Sequence, residues 1–236
     1  MVCCMNTKLH FGMELTETEI DENYQYFIDF LKESFSGERL EKLLVMYSED
    51  NMGMQLALAP ASTRMNFHCA WPGGYIQHVM HVEKASRGVQ KLYSGINGTV
   101  DFTDEERIFA ALHHDLGKLG DDTGPQYIRN DSDWHVKNRG EIYKMNPALQ
   151  YMRVPDRALY MLQRYNVNVT WKETLGIKLA DGLYDKACEE YFMSHNPDRN
   201  LKTNLPYIIH VSDLLSCRAE SDEWKAYSTG DTGTTI

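Results

Sequence analysis

The sequence predicts an all-α fold. A Thr followed three residues later by Glu recurs along the chain, which is the capping-box pattern that opens helices. Apolar residues then follow at spacings of three and four, as on the buried face of a helix. Strand signals are weak, because short apolar alternation is absent. The three capping-box segments are Thr16–Glu19, Thr103–Glu106 and Thr170–Glu173.

The N-terminal third predicts two helices, an irregular segment and then a long helix. The first helix follows Thr16 and is expected to end at Gly37, and a short second helix lies before residue 50. Residues 50–74 contain several Gly and Pro residues, which favour irregular structure. A long helix is expected from about Tyr75 to Tyr93, with apolar residues on one side.

The remaining two thirds predict four more helices around a polar, turn-rich stretch. The helix after Thr103 ends in an apolar run closed by His113-His114-Asp115, and residues 120–155 are weakly patterned, which is often a sign of function. Pro155 is suited to the first turn of a helix, and another helix follows Thr170. The last helix is expected from Tyr207 to about Glu220. We therefore expect N-terminal helices over residues 1–50 packing on one helical domain over 51–225, with a flexible tail over 226–236.

The composition of the chain indicates which classes of partner and which cellular location to expect. The formal net charge is −10 and the chain has no basic run, so the expected partner is a small phosphorylated molecule, in particular a nucleotide, rather than a long nucleic acid. Five scattered cysteines without a CxxC pair indicate a reduced, cytoplasmic location. No apolar stretch is long enough for a bilayer, so no membrane partner is expected. The oligomeric state stays open.

Four residues on three predicted helices indicate a metal site. Two imidazoles and two carboxylates suit Mn²⁺, Fe²⁺, Co²⁺ or Ni²⁺, with Zn²⁺ and Mg²⁺ left open. Lys118, three residues after Asp115, adds a positive charge where a phosphate could bind. The plainer alternative is a helix-terminal His that interacts with the helix dipole and an Asp that begins a turn. The predicted ligands are His78, His114, Asp115 and Asp213.

The order His, His-Asp, Asp, with the central segment His114-Asp115-Leu116-Gly117-Lys118, resembles the HD-domain metal-dependent phosphohydrolases. The segment from Ala59-Pro60 through His68 to Gly73-Gly74 and His78 is similar to a branch with exoribonuclease-like and phage-encoded members. The resemblance covers roughly residues 55–220. It implies a single HD-type helical domain over 51–225, hydrolysis of a phosphoester or phosphoanhydride bond by metal-activated water, and the host cytoplasm if the chain is phage-encoded.

Further roles can be assigned if a metal-bound water attacks a phosphate at this site. Lys118 would contact the phosphate, and His81 or His68 would orient the attacking water. Arg153 and Arg157 would clamp phosphates, and Tyr184 would contact a base or ribose. Where some relatives carry the histidines of a second metal site, this chain has Glu141 and Asp181, whose oxygens are the candidate substitutes. For each of these residues, surface ion pairing, packing or an ordinary hydrogen bond is the competing interpretation.

Two other functions stay open at this stage. The exoribonuclease-like segment is compatible with a single-strand 3′–5′ nuclease, although the acidic net charge counts against it. The missing second-site histidines are compatible with a non-catalytic HD protein that binds a nucleotide or another protein. Activity on oligonucleotides compared with mononucleotides separates the first alternative from a nucleotide hydrolase, and metal content separates the second.

Overall fold

The computed structural model describes residues 8–13, 15–194 and 196–230, and within them the chain is mostly helical. The all-α prediction is therefore confirmed at the level of fold class. Ten α-helices and one two-stranded sheet occur among these residues. The helices are α1 Glu17–Ser34, α2 Gly37–Met46, α3 Gly53–Leu58, α4 Gly74–Gly95, α5 Asp104–His113, α6 Asp133–Arg139, α7 Val154–Arg164, α8 Trp171–Lys178, α9 Lys186–Phe192 and α10 Leu205–Thr229.

The three predicted capping boxes are present at the starts of α1, α5 and α8. In each, the Thr hydroxyl accepts a hydrogen bond from the Glu backbone N–H, and the Glu carboxylate accepts one from the Thr backbone N–H. This exchange satisfies two of the backbone donors that a helix start leaves open. Pro155 lies in the first turn of α7, where its missing N–H costs nothing.

A small sheet interrupts the helical pattern in the stretch that the sequence predicts to be irregular. Strand β1 is Tyr127–Arg129, and it pairs antiparallel with β2, Tyr143–Met145. Each strand has three residues, which is too short for an alternation of apolar and polar residues to be recognised in the sequence. The loop between them carries α6, which ends at Gly140 in a left-handed conformation.

The contacts divide the chain into two compact units, each built from several segments. The first comprises Met1–His78, Lys118–Tyr151 and Ser216–Ile236, and the second comprises Val79–Gly117 and Met152–Leu215. Both α4 and α10 contribute residues to both units. These limits do not coincide with the predicted ones at residues 50 and 225, and the sequence-based division stays a prediction. Of the predicted tail, residues 226–229 belong to α10, and residues 231–236 lie outside the described residues.

In the first unit, α1, α2 and α3 pack around a cluster of fully buried side chains. The rings of Phe27 and Tyr47 meet edge to face with centroids 5.3 Å apart. Such an arrangement is favoured because the positive ring edge meets the negative ring face. Leu31, Leu43 and Leu56 complete the buried set.

In the second unit, α5 packs closely against α8. A Cβ added at Gly176 of α8 would lie 3.0 Å from the Cβ of Ala110 of α5, so the two helices approach where both residues are small. Phe109, Leu112 and Ile177 are fully buried in the same unit. The close contact fixes the last turn of α5, which precedes His114 and Asp115.

Across residues 8–13, 15–194 and 196–230, no helix is both long enough and apolar enough to traverse a lipid bilayer.

Candidate metal centre

His114 directs one ring nitrogen toward two carboxylates. It is 2% exposed at the C-terminal end of α5, and its Nδ1 lies 2.8 Å from the carbonyl oxygen of Ala111. A carbonyl only accepts hydrogen bonds, so Nδ1 carries the proton and Nε2 carries the lone pair in the neutral ring. Nε2 lies 3.5 Å from Oδ2 of Asp115 and 3.6 Å from Oδ1 of Asp213.

These separations are close to those between neighbouring ligands of one cation. Both exceed the roughly 2.7–3.2 Å of a good N–H···O hydrogen bond. Metal bonds of about 2.1 Å at angles of about 90–110° place adjacent ligand atoms about 3.0–3.5 Å apart. The backbone contact of Nδ1 is the usual support that orients a metal-binding imidazole. The group of His114, Asp115 and Asp213 therefore fits a divalent cation by both its donor atoms and its spacing.

The neighbouring histidine has a different environment. His113 is fully buried, its Nδ1 donates to the carbonyl oxygen of Phe109 at 2.7 Å, and its ring stacks on that of Phe109 at 4.2 Å. Successive residues of a helix differ in direction by about 100°, so His113 and His114 cannot face the same side. His113 therefore packs in the core of the second unit.

Gly117, the glycine of the His-Asp-x-Gly-Lys segment, is required for a steric reason. A Cβ added at Gly117 would lie 2.1 Å from the carbonyl oxygen of Val154, the first residue of α7. Real Cβ atoms essentially never approach a backbone oxygen so closely. The chain can turn away from Asp115 along this path only with a glycine at this position. Gly117 thus belongs to the support of the site rather than to its chemistry.

His78 is oriented by a carboxylate that sequence reasoning missed. His78 is fully buried, and its Nδ1 lies 3.0 Å from Oε2 of Glu220, which is 1% exposed. A carboxylate that receives the Nδ1 proton leaves Nε2 to bind a metal. Burial, followed by the charge of Glu220 and a hydrogen bond to it, raises the pKa of the Cys69 thiol well above its ordinary value. Cys69 thus stays protonated and donates to the same carboxylate.

The three predicted ligands of the second unit, His114, Asp115 and Asp213, lie next to one another. His78, the fourth predicted ligand, belongs to the first unit, and its role as a ligand of the same ion stays a prediction. Within the second unit, the structure thus brings together one imidazole and two carboxylates whose donor atoms could hold a metal ion.

The predicted catalytic residues Lys118 and His68 contact each other. Nζ of Lys118 lies 3.4 Å from Nε2 of His68, and the His68 ring lies 4.7 Å from that of His78. An ammonium group only donates, so Nε2 of His68 is the acceptor in this pair. His81, the third predicted catalytic residue, is half-buried one turn along α4 from His78. The proposed roles of all three residues stay predictions.

The two residues predicted for a second metal differ in their surroundings. Glu141 forms an ion pair with Arg64 at 2.7 Å, and the two residues also pair through their backbones. Asp181 begins a short 3₁₀ turn over Gly182–Tyr184. Within residues 8–13, 15–194 and 196–230, neither belongs to a group of three or more potential metal ligands.

The predicted substrate-binding residues of the second unit are partly engaged elsewhere. Arg153 bonds to Asp156 at 2.9 Å and to Asp185 at 3.3 Å, and the Asp156 hydrogen bond raises the pKa of Arg153. Arg157 is 1% exposed, so an incoming phosphate cannot reach it without rearrangement. Tyr184 is 77% exposed and is open to solvent.

In comparisons with known proteins, no protein-family model, no curated protein and no solved structure matches this chain.

Proposed function

We propose that this chain is an HD-type, divalent-metal-dependent phosphohydrolase that acts on a nucleotide or a related small phosphorylated molecule. The observation that carries the proposal is the position of Nε2 of His114, which faces Asp115 and Asp213 at 3.5 and 3.6 Å while Nδ1 is held by a carbonyl. Mixed nitrogen and oxygen donors suit Mn²⁺, Fe²⁺, Co²⁺ or Ni²⁺ better than Mg²⁺, which prefers oxygen alone.

A bound divalent ion would supply Lewis acidity toward a phosphoryl oxygen and toward water. The chain's own residues hold the reacting groups. The Ala111 carbonyl and the Glu220 carboxylate fix the tautomers of His114 and His78, so both Nε2 atoms are ready to bind without a change of protonation. Lys118, already ordered by His68, would place a positive charge against the negative charge that develops on a transferring phosphoryl group.

An aromatic cavity in the first unit supports a nucleotide as the phosphorylated substrate. The cavity has a volume of about 290 Å³, and its walls include Trp71, Tyr143, Trp224 and Tyr227. Arg129 also lines it and lies 4.9 Å over the Tyr143 ring. Planar aromatic side chains bind a nucleobase by stacking, and the interaction depends little on which base is bound. A guanidinium beside them suits a negatively charged group on the same molecule.

Release of phosphate or pyrophosphate from a panel of nucleotides tests the proposal. Purified full-length protein is incubated with Mn²⁺ and each nucleotide, in parallel with the Asp115→Asn variant. We expect release by the unsubstituted protein, and a loss of at least about 100-fold in the variant, since the replaced carboxylate is a ligand. Circular dichroism of the variant confirms that it is folded.

The same experiment discriminates the alternatives. Faster cleavage of single-stranded oligonucleotides than of mononucleotides would show a nuclease instead. Metal and nucleotide binding without release of any product would show a binding protein. Either result would overturn the proposed function.

A further inference from the structure

A second group of potential metal ligands lies within the first unit. One ligand atom each from His68, His78 and Cys217 lies within 4.8 Å of the other two. His78 is buried, and the other two are half-buried, so an ion can reach the group from solvent. We call these three residues the thiolate cluster.

We propose that the thiolate cluster is a binding site for Zn²⁺. A thiolate with two imidazoles is a soft donor set, which favours Zn²⁺ over Mn²⁺ and Mg²⁺. Three protein ligands and one open position for water are a common arrangement around zinc. When the ion binds, a sulfur–metal bond forms at Cys217, and the thiol proton passes to the solvent.

The fold holds the three ligands independently of an ion. Cys217 and Glu220 are one turn apart on α10, and Glu220 binds Nδ1 of His78, which leaves the other nitrogen of that ring for a metal. His68 belongs to a loop that the Ser62 hydroxyl anchors through the His68 carbonyl at 2.7 Å. Zinc bonds of about 2.0–2.3 Å would separate adjacent ligands by about 3.5 Å. The ligand atoms lie within 4.8 Å of one another, so they need to converge by at most about 1.3 Å to bind one ion.

The fold also tolerates little displacement of the loop that carries His68. The carbonyl oxygen of Cys69 accepts a hydrogen bond from the Ala61 backbone at 2.9 Å, and a Cβ at Gly74 would lie 2.1 Å from the same oxygen. The backbone around the ligand is therefore held on both sides. Convergence on the ion is a matter of side-chain rotation rather than loop folding.

The positive charge of Lys118 disfavours the binding of Zn²⁺ in the thiolate cluster. Its Nζ lies 3.4 Å from Nε2 of His68, so a metal either displaces the ammonium group from that nitrogen or binds beside a positive charge. Replacing Lys118 by Met removes the charge and keeps much of the side-chain volume. The Lys118→Met variant is expected to bind Zn²⁺ more tightly than the unsubstituted protein.

His78 is also one of the four residues that the sequence predicts as ligands of the metal centre. Because Glu220 binds Nδ1, only Nε2 of His78 can coordinate a metal, and it can bind one ion at a time. Zn²⁺ in the thiolate cluster would thus withdraw His78 from that predicted set of ligands. This consequence rests on the proposed function, and it makes Zn²⁺ an inhibitor of Mn²⁺-dependent hydrolysis.

Substitution of Co²⁺ for Zn²⁺ tests the site without any enzymatic assay. Cobalt bound to a thiolate shows a sulfur-to-metal charge-transfer absorption in the near ultraviolet, and cobalt bound only to nitrogen and oxygen does not. The full chain titrated with Co²⁺ is expected to show this absorption, and Zn²⁺ is expected to abolish it by displacement. The absorption is expected to disappear in Cys217→Ser, and Co²⁺ is expected to bind at least about 10-fold more weakly in His68→Ala.

Control variants test whether Cys217 is the cysteine that provides the sulfur ligand. Cys188→Ser and a Cys3→Ser, Cys4→Ser double variant remove other thiols, and both are expected to keep the absorption. Asp213→Asn removes a ligand of the other group only, and it too is expected to keep the absorption. No absorption in the unsubstituted protein, or its persistence in folded Cys217→Ser, would overturn the proposal, as would its loss in Asp213→Asn. None of these results depends on whether the chain hydrolyses nucleotides.

Discussion

Glu220 holds the ring of His78 through a hydrogen bond of 3.0 Å to Nδ1, and both side chains are buried. An ionised carboxylate away from water is costly unless it is paired. Here the imidazole N–H and the Cys69 thiol satisfy it. The arrangement fixes which nitrogen of His78 faces a metal, so Glu220 acts on the site through another residue.

Replacement of Glu220 by Gln is expected to weaken metal binding. Gln keeps the shape but loses the charge that fixes the His78 tautomer, and loss of such a support typically costs about 10- to 100-fold in affinity. Titration calorimetry with Mn²⁺ measures the change. The matched control is Glu223→Gln, an exposed position one turn further along α10, which is expected to leave the affinity unchanged. Equal affinities of the two variants would contradict the role of Glu220.

Gly117→Ala is expected to destabilise the protein. The added Cβ would meet the Val154 carbonyl at 2.1 Å, and relief of such overpacking costs about 1–3 kcal/mol in the free energy of unfolding. The control is Gly88→Ala on α4, where an added Cβ meets nothing within 4 Å. Alanine is the better helix former, so this variant is expected to gain up to about 1 kcal/mol. Urea denaturation measures both, and a neutral Gly117→Ala would refute the steric account.

Two arginines that share one partner allow a direct comparison of buried and exposed ion pairs. Arg107 is 3% exposed and bonds to Glu83 at 3.2 Å and to Ser86 at 2.7 Å. Arg87 bonds to the same carboxylate at 2.8 Å, but its side chain is 66% exposed. Arg107→Ala is expected to cost about 3–5 kcal/mol in the free energy of unfolding, and Arg87→Ala less than about 1 kcal/mol. If urea denaturation gives similar losses in the free energy of unfolding for the two variants, burial does not determine how much each ion pair contributes.

The free energy of unfolding is expected to fall at alkaline pH. Burial, followed by the charges of Asp185 and Asp181, raises the pKa of the Cys188 thiol from its ordinary 9.0 to about 11. Between these values the unfolded chain has lost the proton that the folded chain keeps, so stability declines as pH rises. Cys188→Ala is expected to reduce the decline of the free energy of unfolding with pH without abolishing it, since the pKa of Cys69 is raised as well. An unchanged slope between pH 9 and 11 would contradict the assignment.

The helices could be predicted because their signals are local. Each capping box is complete within four residues, so Thr103 and Glu106 mark the start of α5 without reference to the rest of the chain. The strands β1 and β2 could not be predicted, because each has three residues and its partner lies across α6. Their pairing depends on a long connection that no short-range pattern records.

The site could be predicted in part for the same reason. His114 and Asp115 are adjacent, and His78 and Asp213 lie on strongly patterned helices. Glu220 was missed because the last helix was expected to end near it, whereas α10 continues to Thr229.

Because α10 continues past Glu220, the spacing of Asp213, Cys217 and Glu220 by four and three residues places them on one face of the helix. This spacing is the sequence pattern that indicates both Glu220 and Cys217. The contact between Lys118 and His68 had no such signal, because 50 residues separate the two positions.

The number of Mn²⁺ ions bound per chain tests the central claim most directly. Elemental mass spectrometry after dialysis against Mn²⁺ is expected to find one ion per chain in the unsubstituted protein. Much less than one ion is expected in His114→Ala and in Asp213→Asn, each checked for folding by circular dichroism. Unsubstituted protein that retains no Mn²⁺, or folded variants that retain as much as it does, would contradict the proposal that His114, Asp115 and Asp213 hold a divalent cation.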